Sequence, residues 1–530
     1  MYIFYDTEAT GLDTDFTQLL QVALVFTDDD FNILSAKKIE CRKAPWIVPS
    51  PGAMLITGFT PDDLKNNKFS HYEMMSDIES WIKAQHWPIV FAGYNTLGFD
   101  ESALAGNLGQ NLLQTDLTTA QSKHGTEFNS RLDVFSVVKA VVAYMPGVLT
   151  LDIKNDFGSP SLSLLNVAKQ NGVSLQDNEA HDAMNDIKAT IGVAKLIKKA
   201  APQIWDQMAK MTTVQGVDAF LSATPLFVYT NASYGRKDSL VATSVAATGN
   251  TQVIFDTACD PSPYLRMSEQ ELAAVISRGF DRKNRDEAPF KLVDKDRQPV
   301  LMPLDLANAV IPGNFDDALA KQRVALVASD ADFQARVSRA AQTVMDSRRR
   351  MNKVPLSEQL ATQEIASDAK PRIQGWIERF HQAADWQARS ALVDGFYKEF
   401  EEDIKKDETL RRFPRFAARI VFDNAPDALS PAQQENMNRH IAVRMLNPDL
   451  KAPYMTIARA RKELTQIEFD RASGKEKWKD VTDTQIRSLK LYYTALEKEF
   501  LPYLAQNDNT PVAQAPVPAP KKANGDFKPK

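Results

Sequence analysis

MYIFYDTEATGLDTD, residues 1–15, places four residues of strand character, Tyr2 to Tyr5, ahead of Asp6, Thr7, Glu8 and a Gly-containing turn. Successive side chains of a strand point to opposite faces, so Asp6 and Glu8 leave the same face. Two carboxylates this close repel each other, and a divalent cation between them removes the repulsion. Hard ions such as Mg²⁺ take oxygen ligands from one or two carboxylates and from substrate phosphate. Alone, D-x-E is more often a solvated strand end, and its meaning depends on what the rest of the chain brings to it.

Downstream, QLLQVALVFTDDDFNIL reads as strand, a turn at DDDFN, and a further strand through ILSAKKIECR. PGAMLITGFTP reads as a loop with a short apolar centre, bounded by Pro and Gly. SHYEMMSDIESWIKAQ is helical, with Met74, Ile78, Trp81 and Ile82 on one side. PIVFAGYN is a strand, FDESALAGNLGQNL begins a helix, and VFSVVKAVVAYMPGVL is a buried helix. In DAMNDIKATIGVAKLIKK, Ile187, Ile191, Ala194 and Ile197 recur at helical spacing, with lysines in the last turn. Strands first and interspersed helices later predict a three-layer α/β domain with a mixed sheet over residues 1–200. After about residue 201 short strands with Gly and Asn turns predict a small β region, and from about 316 the chain turns helical. The last stretch, 507–530, is rich in Pro, Ala and Lys without periodicity and is expected to be disordered.

The 530 residues are too many for one core and suggest two to four domains. With 44% hydrophobic and 25% charged residues the composition is that of an ordinary globular protein. A net charge of −5 does not advertise a polyanion partner, yet 63 Lys and Arg are enough to line a groove while acids cover the rest. Two distant cysteines, Cys41 and Cys259, build neither a disulfide framework nor a Cys-rich zinc site. A reducing, cytoplasmic setting is expected, with no signal peptide and no membrane span.

Two further stretches matter for chemistry. In GYNTLGFDES, Asp100 follows a strand and a turn at the start of a helix, where capping alone would be reason enough for an Asp. In EAHDAMNDIKAT, Asp182 is well placed as a helix N-cap and Asp186 lies in the first turns, where an acid suits the helix dipole. His181 is five residues from Asp186, off that helix face, and must reach the site from the entering loop.

Each signal is weak alone. In this order and spacing, D-x-E, N-x-x-x-F-D and H-D-A-x-x-D resemble the His-containing branch of the DEDD exonuclease superfamily, which has an RNase H-like fold. PGAMLITGFTP, GYNTLGFDE, AHDAMNDIKATIGVAKLIK, KLVDKDRQPVL and ARIVFDNAPDALSPAQQENMNRH are similar to blocks of the bacterial exodeoxyribonuclease I family, over roughly residues 1–500. The resemblance implies an exonuclease domain (1–200), an SH3-like β domain with helical additions (201–350) and a helical C-terminal domain (351–506), together a clamp on single-stranded DNA. It implies 3′→5′ hydrolysis to 5′-mononucleotides in DNA repair and recombination, with two Mg²⁺ ions for which Mn²⁺ can substitute. Asp6, Glu8, Asp100 and Asp186 are expected to hold the metals, His181 to take a proton from the attacking water, and Glu8 to contact the terminal 3′-hydroxyl.

Two departures from the family pattern are visible. Ala9 stands where a Thr usually follows the Glu, and Thr10 is the expected substitute. Ser163 stands where related enzymes often carry a substrate-contacting Arg, exchanging a charge-assisted contact for a weaker hydroxyl one. Strand-binding candidates are Arg131, Tyr234, Arg236, Lys237 and the basic run at 347–350, each otherwise a solvated surface residue. The expected partners are single-stranded DNA and the C-terminal tail of single-stranded DNA-binding protein, with the enzyme a monomer. The alternatives are the same chemistry on RNA or short oligonucleotides, and an inert nucleic-acid-binding scaffold, which would be expected to have lost one of the five core residues.

Overall fold

A computed structural model describes residues 1–121, 126–155, 158–173, 182–233, 236–279, 288–351 and 368–505. The chain begins with three strands, β1 (Tyr2–Ala9), β2 (Leu19–Thr27) and β3 (Ile33–Glu40), and the sheet is completed by β4 (Val90–Gly93) and β5 (Ser130–Asp133). The order is β3-β2-β1-β4-β5. β1 pairs antiparallel with β2 and parallel with β4, so the strand carrying the D-x-E pair is central and mixed. Every residue of β2 is buried, as its Leu/Val/Phe composition requires of a strand covered on both faces.

The helices of this part are α1 (Pro51–Thr57), α2 (Pro61–Asn66), α3 (His71–Lys83), α4 (Asp100–Gln110), α5 (Val134–Tyr144), α6 (Leu164–Gln170) and α7 (Ala183–Ala200). Alternation along β1 sorts them into layers. Phe4 packs with Val137, Val141, Ile187 and Ile191 of α5 and α7. Ile3 and Tyr5 face the other way, onto Met74 and Ile78 of α3 and Leu104 of α4. Asp6 and Glu8 follow Phe4 in register and therefore open on the α7 side. Val-rich α5 has a poor intrinsic helix preference. Its Val134, Val137, Val138 and Val141 are fully buried, and this packing overrides the preference.

The segment expected to be a loop, PGAMLITGFTP, contains α1. Ser50 caps it by accepting from the Ala53 amide, Pro51 occupies the first turn, and Gly58 closes it at φ 77°, a left-handed conformation that favours glycine. At seven residues it is too short to declare itself by periodicity, although both end signals are in the sequence. Past residue 200 two helices, α8 (Pro202–Lys210) and α9 (Val214–Ala223), come before any strand, where the sequence suggested β structure from about 201. A second sheet follows: β6 (Phe227–Ser233), β7 (Arg236–Thr248), β8 (Thr251–Asp256), β9 (Phe290–Asp294) and β10 (Leu301–Pro303), entirely antiparallel in the order β10-β6-β7-β8-β9. Helices α10 (Glu269–Arg278), α11 (Asp317–Ser329) and α12 (Ala331–Met351) accompany it, with Val253, Phe255 and Phe290 of the sheet packed on Leu272, Phe333 and Val337.

From residue 368 the described chain is helical: α13 (Lys370–Gln382), α14 (Trp386–Glu399), α15 (Glu401–Lys406), α16 (Arg412–Asn424), α17 (Pro431–Met445), α18 (Ile457–Ala472), α19 (Asp483–Phe500) and α20 (Pro502–Ala505). These helices lie against the first sheet's outer helices. Leu464, Tyr493 and Phe500 share a core with Trp46, Val48 and Met54, and Tyr72 of α3 joins Trp376, Phe380 and Phe396. Among the described residues no helix is long and apolar enough to cross a membrane.

Candidate active site

At the end of β1, Asp6, Glu8 and Asp186 each bring a carboxylate oxygen within 4.8 Å of the others. Strand alternation sets the first two on one face, and α7 crosses that face one turn after its start. Asp182 caps α7, accepting from the Met184 and Asn185 amides at 3.1 and 3.3 Å. Asp186 falls one turn later, over the strand.

Asp100 arrives from the other side of the sheet. Phe99, not Asp100, occupies the capping position of α4, so capping does not account for this acid. Its carboxylate instead accepts a 2.5 Å hydrogen bond from the Thr7 hydroxyl, which points away from Asp6 and Glu8. Asp100 is outside the mutually close set of three, yet it is the charge that acts most strongly on Asp6.

The electrostatics are those of crowded acids. Burial, and then the charges of Asp100, Asp186 and Glu8, push the Asp6 carboxyl well above the usual range. Burial, then Asp186 and Asp100, push Glu8 up to about 8. Burial lifts Asp100 to about 7, against the lowering effect of the Thr7 hydrogen bond. Burial and like charge both favour the neutral form of a carboxyl, and a bound cation reverses the balance. An all-oxygen donor set of this density fits a hard divalent cation.

Three residues that the sequence reading passed over hold the arrangement. Thr7 fixes Asp100. Gln21 lies opposite Glu8 in the β1–β2 register. Its Oε1 accepts from the Ala183 amide at 2.9 Å and its Nε2 donates to Glu40 at 2.7 Å, tying the start of α7 to the sheet. Lys38 pairs with Asp182 and lies 3.5 Å from Glu40. The available signal was a polar Gln inside an otherwise apolar strand. Another acid nearby, Asp133, is a structural cap, accepting from the Asn95 and Phe135 amides at 2.8 and 2.9 Å.

Other expected contacts fare differently. Thr10, the expected substitute for the missing threonine at residue 9, has its hydroxyl engaged within the fold. It is buried, its hydroxyl lies 3.1 Å from that of Thr17 and accepts from the Gln18 amide at 2.9 Å. Arg131 is not presented to a groove either. Its guanidinium donates to both oxygens of Glu101 at 2.9 and 3.0 Å and to the Asp296 carbonyl at 2.7 Å, with the side chain only 14% exposed. Ser163 is exposed at the start of α6, 3.4 Å from the Ser161 hydroxyl. His181 and Tyr234 lie outside the described residues, as do the side chains of Arg236, Lys237, Arg349 and Arg350.

Comparison with known proteins agrees with this geometry. Residues 3–194 match the RNase_T model, described as exonuclease. Exodeoxyribonuclease I of Escherichia coli K12 is 27% identical over 324 residues, which is 59% of this chain and 66% of that protein. The alignments with the first three curated relatives span 41% to 66% of the relatives' length. Among solved structures, a moderately thermophilic exonuclease I from Methylocaldum szegediense superposes with a TM-score of 0.73 at 19% identity, covering 94% of this chain and 99% of that one. E. coli exonuclease I in complex with a dA16 oligonucleotide gives 0.70 at 20% identity, covering 93% and 99%. An ExoI/SSB-Ct complex gives 0.69 at 20%, with the same coverage. At these identities the structural likenesses establish the fold, an RNase H-like α/β sheet followed by a helical C-terminal region.

Proposed function

We infer, from a chain whose residues 3–194 belong to the exonuclease family and which resembles exodeoxyribonuclease I well beyond them, that the protein is a 3′→5′ exonuclease degrading single-stranded DNA to 5′-mononucleotides. The observation that carries the reading is the convergence of Asp6, Glu8 and Asp186 within 4.8 Å, with Asp100 close enough to perturb them.

Asp6, Glu8, Asp100 and Asp186 would hold the divalent ions, with Mg²⁺ the proposed species and Mn²⁺ a substitute. When bound, two such ions supply Lewis-acid activation of water and stabilisation of the leaving oxygen. Glu8 is proposed also to accept from the terminal 3′-hydroxyl, which fixes the strand end. His181 is proposed to accept the proton of the attacking water, a task that an imidazole suits near neutral pH. Thr7 keeps Asp100 aimed and favours its charged form. Gln21, with Lys38 on Asp182, keeps α7 and hence Asp186 over β1.

The proposed partners are single-stranded DNA and the C-terminal tail of single-stranded DNA-binding protein, the latter supported by likeness to the ExoI/SSB-Ct complex. The enzyme is proposed to act as a monomer in DNA repair and recombination. Its units are proposed to be the exonuclease domain (1–200), an SH3-like β domain (201–350) and a helical domain (351–506). The test is incubation with Mg²⁺ and 5′-end-labelled single-stranded DNA, double-stranded DNA and matched RNA. Stepwise shortening of the single-stranded DNA alone, stopped by EDTA, is expected. Equal or faster loss of RNA would replace the DNA assignment.

A further inference from the structure

Asp100 is brought to the site by the loop between β4 and α4, and that loop is held from outside the first sheet and its helices. The turn joining β9 to β10 carries Asp296, Arg297 and Gln298. The Arg297 guanidinium donates to the Leu97 carbonyl at 3.2 Å. The Gln298 side chain accepts from the Asp133 amide at 2.6 Å and donates to the Met208 carbonyl at 3.1 Å. Asp133 in turn accepts from the Asn95 amide at 2.8 Å. Arg131 ties the Asp296 carbonyl to Glu101, the residue after Asp100. A single turn of the second sheet therefore reaches the Asp100 segment at Asn95, at Leu97 and at Glu101.

Both ends of this linkage stand in left-handed backbone, Asn95 at φ 63° and Gln298 at φ 45°. Neither is glycine, and a residue with a side chain keeps that conformation only where its surroundings fix it. Gln298 and Asp133 are buried, so losing the bond between them leaves an amide unpaired away from water. The loop's own bonds, from the Gly98 amide to the Asn95 carbonyl at 2.9 Å and from the Phe99 amide to the Thr96 carbonyl at 3.3 Å, join it only to itself. The bonds to Asp133 and Arg297 fix it in the molecule. Metal–ligand distances are kept to within about 0.2 Å, so the backbone that carries a ligand must be held as firmly as its carboxylate.

We propose that Arg297 and Gln298 are positioning residues for the metal site: the β9–β10 turn holds the β4–α4 loop so that Asp100 meets the cation together with the acids of β1 and α7. The assignment rests on the exonuclease reading, in which Asp100 is a metal ligand, and extends the machinery to a turn of the second sheet. Thr7 aims the Asp100 carboxylate from within the first sheet, and the turn sets the backbone from which that carboxylate projects.

The test uses the full chain with Gln298→Met, which keeps the side chain's length without its hydrogen bonds, and with Arg297→Ala. Mn²⁺ affinity of the metal-stripped protein is measured by electron paramagnetic resonance, and kcat and KM are measured on a 20-nucleotide single strand. Gln298→Met is expected to weaken Mn²⁺ binding about tenfold, the scale for a partner behind a metal ligand. Arg297→Ala, which removes a more exposed hydrogen bond, is expected to weaken it about threefold. In both, kcat should fall with KM unmoved, and Arg297→Lys should recover the affinity by keeping a donor for the Leu97 carbonyl. In an Asp100→Ala background neither substitution should weaken Mn²⁺ binding further. If Gln298→Met does not fold, the exposed Arg297 carries the test. Unchanged Mn²⁺ affinity in a folded variant overturns the proposal, as does an equal loss in the Asp100→Ala background or a raised KM with kcat intact. A wild type that leaves the 20-mer intact in Mg²⁺ sinks the exonuclease reading itself. A wild type that degrades the 20-mer, matched by both variants, sinks the positioning role alone.

Discussion

Thr7 stands between the two acids of β1 and points the other way, yet it acts on the same site through Asp100. Its hydrogen bond favours the charged carboxylate. Thr7→Val is expected to push Asp100 further above about 7, move the acidic limb of the Mg²⁺-dependent pH–rate profile upward, and lower activity at pH 7 by about tenfold, the scale for loss of a partner behind a metal ligand. Thr7→Ser should keep the wild-type profile; a Val variant with an unmoved acidic limb would show that Thr7 merely fills space. The same shifts govern stability. Glu8 and Asp100 have folded values of about 8 and about 7 against unfolded values near 4, so the folded, metal-free protein binds more protons. The stability this lends is complete below about pH 4 and is lost as pH rises through 7 to 8. Divalent metal, which competes with those protons, should therefore raise the melting temperature more at pH 8 than at pH 6, measured by calorimetry in EDTA and in Mg²⁺. At this scale spacing and family likeness pointed to Asp6, Glu8, Asp100 and Asp186, of which Asp6, Glu8 and Asp186 come within 4.8 Å of one another. Thr7 was not legible, because a threonine in a strand is unremarkable until its partner 93 residues away is known.

α1 shows what an element's sequence hides. The Glu463 carboxylate of α18 accepts from the Ser50 hydroxyl at 2.7 Å and from the Gly52 amide at 3.0 Å, at the positive end of α1. Glu463→Ala should lower the denaturant midpoint of the transition that includes this interface, at about 1–2 kcal/mol, the range for losing a helix-capping contact. An unaltered midpoint would mean that water replaces the carboxylate without loss. Pro51 and Gly58 advertise the two ends of α1, but its anchor is 411 residues away. The long helices α3 and α7 were legible because their apolar residues repeat at helical spacing, and α5 because its residues form a nearly continuous apolar run. β2 and β3 were legible because the DDDFN turn separates two β-rich runs.

Over the whole molecule, the regions meet around the first sheet. Arg131 joins Glu101, the neighbour of Asp100, to the Asp296 carbonyl beside the second sheet. Gln298 accepts from the Asp133 amide at 2.6 Å, and Tyr493 donates to the Pro49 carbonyl at 2.9 Å from 444 positions away. Arg131→Ala should destabilise the protein by about 3 kcal/mol, because it strands a half-buried Glu101, and should leave the salt dependence of single-strand binding unchanged. A shallower salt slope with an unaltered melting temperature would return Arg131 to the strand-binding role its sequence position suggested. Changes of texture in the sequence, from mixed α/β to short strands to long helices, follow the order of first sheet, second sheet and C-terminal helices. The joints between the parts were not legible, since they bring together residues far apart in sequence, in shared apolar cores as well as polar contacts, with no local pattern. The central claim is that four acids from three separate stretches hold divalent cations at one end of β1. Anomalous diffraction from crystals grown with Mn²⁺ and a short single-stranded oligonucleotide tests it most directly. The account predicts two peaks about 3.5–4 Å apart, ligated by Asp6, Glu8, Asp100 and Asp186; an ordered cleft with no peak, or Mn²⁺ bound by other residues, contradicts it.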